Sequence, residues 1–442
     1  MNARRMFLNA ALALVALAGC GSPGQRPAGD PPAIVFVHGN GDTAALWHTT
    51  IWRFESNGYD RSLLHAFDFA NPLARAEDAV AQQNRSSAAQ QREELAAKVA
   101  EVKRLTGRAK VALVGNSRGG NAIRNYVKNG GGAAHVSHVV LGGVPNHGVR
   151  ATDDGLGNEF NGKGPFLMQL NAGANEVVEG VAFLTLRSDS NDKYAQPEGR
   201  FVGLPGKPTN VTYEGPALKG AENVVLPGLD HREVSFHPRA FAETFRFITG
   251  AAPARLDVVT EPVITLNGKL SGYANRGPTN LPLAGAQVEV FEVSGSNGER
   301  MASVHTKTIG ADGLWGPLRG RSDAFYEFVI TAQAYPVTHV YRSPFARSSE
   351  IVHLRPAANV PAEGAGAVSI SRPRGYFGHG RDTFTLDGRV PPGINEGVPG
   401  ASIGTLKFPE QPQRAIVAVF NRERIVARNW PAGHAVIAEF HD

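Results

Sequence analysis

The sequence predicts an α/β fold with a mainly parallel central sheet, followed by one or more C-terminal all-β domains. Three observations carry that expectation. Between residues 32 and 250, short continuous apolar runs alternate with helix-forming stretches, the pattern of βαβ crossovers in a sheet covered on both faces. The apolar run at 111–114 leads straight into Gly115-Asn116-Ser117-Arg118-Gly119 and then into a stretch with helical spacing of Ile123, Tyr126 and Val127. After Gly250 the long helical patterns stop, and short alternating segments are separated by Gly, Pro, Asp and Asn.

In chain order, residues 33–37 read as a buried strand between prolines and the turn His38-Gly39-Asn40-Gly41. Residues 47–57 read as a helix stopped by Gly58, and 63–69 as a strand. Residues 86–106 form the clearest helix. They lack Gly and Pro, place Leu95, Val99, Val102 and Leu105 at 3–4 spacing, and end at Gly107. The serine strand and its helix follow. Residues 136–141, 181–186 and 223–226 supply further strands, and 239–248 a closing helix. The first domain is therefore set at 32–250. Residues 251–254 read as a linker, and 256–356 as a β-sandwich module with strands at 286–290, 326–330 and 350–354. A second linker at 357–367 precedes a second β region, 368–442, which the sequence leaves open as an extension or a separate domain. It holds strand candidates at 383–386 and 415–420.

The N-terminus reads as targeting rather than structure. Arg4-Arg5 precede an apolar stretch from Leu8 to Ala18 that is too short to span a membrane, similar to a twin-arginine export signal. Leu17-Ala18-Gly19-Cys20 is similar to a bacterial lipoprotein cleavage box. Residues 1–19 are thus expected to be removed, Cys20 lipidated, and 20–31 left as a tether. The chain is then exported, and either anchored in the bacterial envelope (periplasm or outer membrane) or secreted. Cys20 is the sole cysteine, so neither an intramolecular disulfide nor a cysteine metal site can form. A net charge of +5 without a basic block argues against nucleic acid as a partner.

Gly115-Asn116-Ser117-Arg118-Gly119 is a Gly-x-Ser-x-Gly sequence in the strand–turn–helix context that presents a serine hydroxyl above a sheet. A serine needs a base, and the base needs an orienting acid. On this scaffold they follow in the order acid, then histidine. His135, His138 and His147 come too soon after Ser117 to leave room for the acid, and His237 precedes Pro238 at a helix start, where it would cap or lie at the surface. His231, in a loop after a strand and before the last helix, is the expected base. Two aspartates follow the strand at 181–186. Asp192 is the expected acid, since loop residues are needed to turn toward the histidine; Asp189 is the alternative. The oxyanion donors are expected to be the backbone N–H groups of Arg118, next to the serine, and Asn40, in the glycine-rich turn. No metal and no cofactor is called for.

On these motifs, residues 32–250 resemble an α/β-hydrolase of the bacterial lipase/esterase kind. The resemblance rests on Val37-His38-Gly39-Asn40-Gly41, the serine turn and His231, with Pro145-Asn146-His147-Gly148 similar to a segment that follows the next strand in many lipases. It implies that Phe166-Leu167-Met168, within a segment that covers the active-site mouth, line the substrate pocket. Asn116 and Arg118 depart from the His and neutral residue that many relatives carry around the serine. Residues 256–356 are similar to carboxypeptidase-regulatory-like β-modules through Pro282-Leu283-Ala284-Gly285-Ala286 and Asp312-Gly313-Leu314-Trp315. The expected function is an exported serine carboxylic-ester hydrolase for short to medium acyl chains, with an ester or lipid as substrate and a membrane tether through Cys20. A polyester depolymerase or an acyltransferase would use the same triad. A non-catalytic surface-binding lipoprotein is the alternative of another class.

Overall fold

The computed structural model describes residues 30–358, 366–408 and 413–442; Cys20 and the export signal lie outside them. Six parallel strands form the central sheet: β1 (Ala33–Val37), β2 (Leu64–Phe67), β3 (Val111–Asn116), β4 (Val136–Gly142), β5 (Ala182–Arg187) and β8 (Glu222–Val225), in the order β2-β1-β3-β4-β5-β8. Every residue of β1 and β3 is buried, which is why both read as unbroken apolar runs rather than alternations. Between β5 and β8 lies a small hairpin, β6 (Glu198–Gly199) with β7 (Leu204–Pro208), that the sequence did not suggest.

Helices cover the sheet in two groups. The first is α2 (Ala88–Thr106) and α3 (Arg118–Asn129), which pack on each other and on β1 and β3. The second is α1 (His48–Ser56), α5 (Glu233–Phe236) and α6 (Pro238–Thr249), with α5 and α6 against β4 and β5. The short α4 (Pro165–Leu170) sits beside α3. Local chemistry sets the ends. Ser87 and Gln90 form a reciprocal capping box at the start of α2, and Gly107 closes it in the left-handed conformation, φ 69°. At α6, Pro238 occupies the first turn and His237 accepts from the Arg239 N–H at 3.1 Å, which makes it a cap, one of the two roles expected of it. No helix among the described residues is long and apolar enough to cross a membrane.

The β region is built on a seven-stranded sheet in the order Arg300–Thr308, Gln287–Val293, Phe325–Thr331, Val337–Arg342, His434–Glu439, Val368–Ser371, Ile403–Leu406. The last strand of the chain runs parallel between Val337–Arg342 and Val368–Ser371, so strands from either side of residues 357–367 share one sheet. Two apolar clusters fill this region, one around Trp315 and Phe328 and one around Phe377 and Phe420. Residues 350–354 are not the expected strand. They run alongside 265–270 and make only single bridges (Leu266 with Ser349, Leu270 with Leu354), because Asn267 and Lys269 engage Val352 and Leu354 one bond at a time. Trp52 of α1 joins the first cluster and donates to the Ser348 carbonyl at 2.9 Å, so the α/β domain packs directly on the β region.

Candidate active site

Ser117 stands between β3 and α3 with φ 51° and ψ −124°, a conformation that costs a non-glycine residue about 1–3 kcal/mol. Its surroundings hold it there. The Ser117 N–H donates to Gly142 on the adjacent strand at 3.0 Å. At Gly119 a Cβ would lie 2.4 Å from the His38 carbonyl oxygen, so only glycine lets α3 approach the end of β1 this closely. That approach sets the first turn of α3 beside the 38–41 turn. An added Cβ on Gly39 would lie 3.2 Å from the Ser117 Cβ.

The same turn is fixed from outside. Gly41 N–H donates to Pro72 at 3.1 Å, and the Asn40 side chain accepts from Ala74 N–H at 2.7 Å. Neither the Asn40 nor the Arg118 backbone N–H has a hydrogen-bond partner among the described residues. His38 is a structural member: its Nε2 accepts from Phe69 N–H at 3.1 Å, and burial depresses its pKa.

His231 lies in the turn after β8. Its Nδ1 faces the Asp192 carboxylate at 3.0 and 3.1 Å, and its ring packs edge-on against Tyr194 at 4.6 Å. The other nitrogen, Nε2, is buried and has no partner among the described residues. Asp192 also accepts from Tyr194 N–H at 2.9 Å. Asp189 faces elsewhere. Its oxygens accept from Asn191 N–H (3.0 Å), the Asn191 side chain (2.7 Å) and Gly228 N–H (2.8 Å), tying the two loops together. Against the cost of burial, these N–H groups hold its carboxyl below the usual range.

Ser117, Asn40 and His231 line one cavity of about 350 Å³, with Val149, Phe160, Phe201 and Val202 as its apolar wall. Phe166, Leu167 and Met168 do not line it. α4 turns Leu167 and Leu170 inward to pack, leaves Phe166 half-buried, and exposes Met168 to 60%. The apolar wall comes instead from the loop at 149–160 and the short 3-10 helix Arg200–Val202, which show no periodicity in the sequence. The Arg118 side chain also points away from the cavity. It is fully buried and bonds Glu159 (2.6 Å), Pro72 (3.1 Å) and the Ser86 hydroxyl (3.0 Å). Asn116 bonds the Gly142 carbonyl (3.2 Å) and the Ser235 hydroxyl (2.8 Å). Both departures from the common motif therefore brace the turn.

A serine at a strained turn and a histidine whose Nδ1 meets a carboxylate line this cavity, the residue types that nucleophilic attack on an acyl carbon needs. Comparison with known proteins agrees. Residues 31–154 match the lipase (class 2) family and residues 263–359 the lipase C-terminal domain. Two segments of the chain thus match lipase modules, on an α/β-hydrolase fold followed by β structure, and its class is that of a carboxylic-ester hydrolase. Among solved structures it is similar to the mature form of Bacillus licheniformis lipase BlEst2 (21% identity, 52% of this chain and 96% of that one, TM-score 0.38). It is also similar to the propeptide form of that lipase (17%, 92% and 98%, TM-score 0.39). A third is the carboxylesterase CesB (YbfK) of Bacillus subtilis (14%, 51% and 86%, TM-score 0.28). No curated protein matches the chain.

Proposed function

We propose that this ester hydrolase works through an acyl-enzyme on Ser117, with His231 as base, Asp192 as its orienting acid and the N–H groups of Asn40 and Arg118 as the oxyanion site. The observation that carries the reading is the asymmetry of His231: Nδ1 is engaged by Asp192, while Nε2 has no partner among the described residues and lies in the cavity wall that also holds Ser117. The Ser117 hydroxyl attacks the ester carbonyl as Nε2 takes its proton. The tetrahedral oxyanion is met by the two N–H groups, and the adjacent carboxylate steadies the imidazolium. Collapse expels the alcohol, which leaves with the proton from Nε2. Water then repeats the sequence on the acyl-enzyme and frees the acid.

The substrate class proposed is esters of short to medium acyl chains. A cavity of about 350 Å³ is at the lower end of the ~300–1,000 Å³ usual for small-molecule sites. Each methylene that still fits gains up to ~0.8 kcal/mol, roughly fourfold in rate, until the wall is reached. The test is a fluorophosphonate label together with p-nitrophenyl esters from C2 to C16. Wild-type protein is expected to be labelled and Ser117→Ala not. Phe160→Ala and Phe201→Ala should move the chain-length optimum upward, whereas Phe166→Ala and Met168→Ala should leave the profile's shape alone. Turnover in a folded Ser117→Ala variant sinks the assignment. Export with lipidation at Cys20 completes the proposal, and Cys20→Ser should shift the protein from the membrane fraction to the soluble one.

A further inference from the structure

One wall of the cavity does not come from the catalytic domain. Tyr376, in the stretch after the strand Val368–Ser371, lines it beside Ser117 and His231 and is 4% exposed. Its ring lies against two cations. The Lys193 ammonium stands 3.8 Å from the ring centroid and the Arg232 guanidinium 5.5 Å. In the chain, Lys193 directly follows Asp192 and Arg232 directly follows His231. A single ring therefore touches the acid's loop and the base's loop, one residue beyond each.

The tyrosine is itself held firmly. Its N–H donates to the buried Asp230 carboxylate at 2.7 Å, and its carbonyl accepts from Arg372 at 2.6 Å and Arg381 at 2.7 Å. Asp230 and Glu233, on either side of His231 and Arg232, are bound by the same arginines: Arg381 lies 2.7 Å from Glu233 and 3.3 Å from Asp230, and Arg372 bonds Glu233 as well. On the other loop, Lys193 donates to the Gly400 carbonyl at 3.0 Å. Arg232 also reaches Asp42, two residues past Asn40, at 2.7 Å.

We propose that Tyr376 is a positioning residue: an aromatic clamp, supplied by the C-terminal β region, that keeps the Asp192 and His231 loops in the register where the two side chains meet. The proposal rests on the hydrolase reading above for its effect on turnover, and on geometry alone for its effect on the His231–Asp192 pair. A cation held over a ring face is attracted by the ring's quadrupole, the contact Lys193 makes most closely, while the Tyr376 hydroxyl also hydrogen-bonds Arg232 and Tyr194, so the phenylalanine variant separates the ring from the hydroxyl. A ring that merely walled the substrate would alter KM and the chain-length profile. A ring that merely packed would alter thermal stability. A clamp alters kcat and the histidine's hydrogen bond.

The experiment compares full-length Tyr376→Leu and Tyr376→Phe with wild type. Leucine keeps apolar bulk without a ring face; phenylalanine keeps the face. Steady-state hydrolysis of a short ester is read beside the low-field proton NMR signal of His231 Nδ1–H. For Tyr376→Leu, kcat should fall at least tenfold with KM within twofold, and the low-field signal should shift upfield or vanish. Tyr376→Phe should recover kcat to within threefold of wild type and restore the signal. Unchanged kcat and signal in the leucine variant overturn the clamp, as does a change confined to KM. A leucine variant that does not fold makes Tyr376 a stability element and overturns it equally, and a phenylalanine variant as impaired as leucine transfers the role to the hydroxyl. Absence of the signal in wild type also overturns it, because the pair it holds is not formed. Wild-type protein that shows the signal but no turnover contradicts the hydrolase reading instead, and the NMR comparison still decides the clamp.

Discussion

Asp189 and Asp192 are three residues apart on one loop, yet their surroundings give them different work. Asp192 has its carboxylate against His231 and accepts one backbone N–H. Asp189 spends both oxygens on Asn191 and Gly228, and so links the loop after β5 to the loop after β8. Asp192→Asn would leave the shape intact but present an amide to Nδ1, which on the proposed mechanism removes the carboxylate needed to fix the tautomer and steady the imidazolium. A loss of about 10³–10⁴ in kcat is expected. Asp189→Asn should cost stability and no more than about tenfold in kcat, since one charge-assisted bond to Gly228 is weakened. Assays of both variants on one short ester check this, and the reverse ranking would move the acid to Asp189. At this scale the pairing of His231 with Asp192 and the strained setting of Ser117 were legible, because the order serine, acid, histidine selects among the histidines without any coordinates. The Tyr376 wall was not, because it lies 145 residues from His231 in the chain, in a stretch with no motif, and only packing of the two domains brings it there. Phe166 and Met168 were misplaced because an apolar helical turn signals burial of one side, not which neighbour that side meets.

The elements differ in how openly they speak. β1 and β3 are buried throughout and read as unbroken apolar runs, whereas Arg300–Thr308 is largely exposed and its Arg-Met-Ala-Ser-Val-His-Thr-Lys-Thr sequence carries no clean alternation. An edge strand of that kind is held by its ladder with Gln287–Val293, and a ladder leaves little mark in composition. The serine turn is the most tightly specified junction. A Cβ on Gly119 would lie 2.4 Å from the His38 oxygen and 2.7 Å from the Val37 oxygen, both main-chain atoms that cannot rotate away. Gly119→Ala must therefore push the start of α3 off the end of β1. At the proposed oxyanion site, the N–H of Arg118 would then be displaced from that of Asn40. Loss of one oxyanion donor typically costs ~10²–10³ in rate, so a fall of at least 10² in kcat is expected with KM little changed. Steady-state kinetics on a folded variant, verified by circular dichroism, decide it. Activity within tenfold of wild type would mean that the oxyanion site lies elsewhere.

At the scale of the molecule, the catalytic domain and the β region are joined through ionisable groups taken out of water. Asp68, at the end of β2, meets His353 at 3.0 Å and Lys269 at 3.1 Å. His48 of α1 meets His441 at 3.0 Å, and Arg374 bonds His48 at 2.7 Å. Beside His441 lies Glu423, whose carboxylate accepts from the Ser343 hydroxyl and the His441 N–H. Burial pushes this carboxyl up to about 7, and the hydrogen bonds only partly oppose it. The sign follows from proton linkage. Between the ordinary value of 4.5 and about 7, the folded chain keeps a proton here that the unfolded chain has released. The contribution of Glu423 to stability is thus fully present below about pH 4.5 and is lost as pH rises through about 7. His48 and His441 work in the opposite sense. Burial, with Arg374 and Arg342 nearby, holds both well below 6.5, so the unfolded chain gains protons they refuse, and stability falls as pH drops below that value. Glu423→Gln separates the two. It removes the carboxyl's titration and leaves the histidines untouched. Thermal unfolding should therefore show a higher Tm than wild type at pH 8, a difference that shrinks steadily toward pH 4.5, while both proteins keep the same loss of Tm on acidification that the histidines impose. A constant offset between the two proteins across that range would show that Glu423 enters the fold already ionised, and that the junction between the domains tolerates its charge.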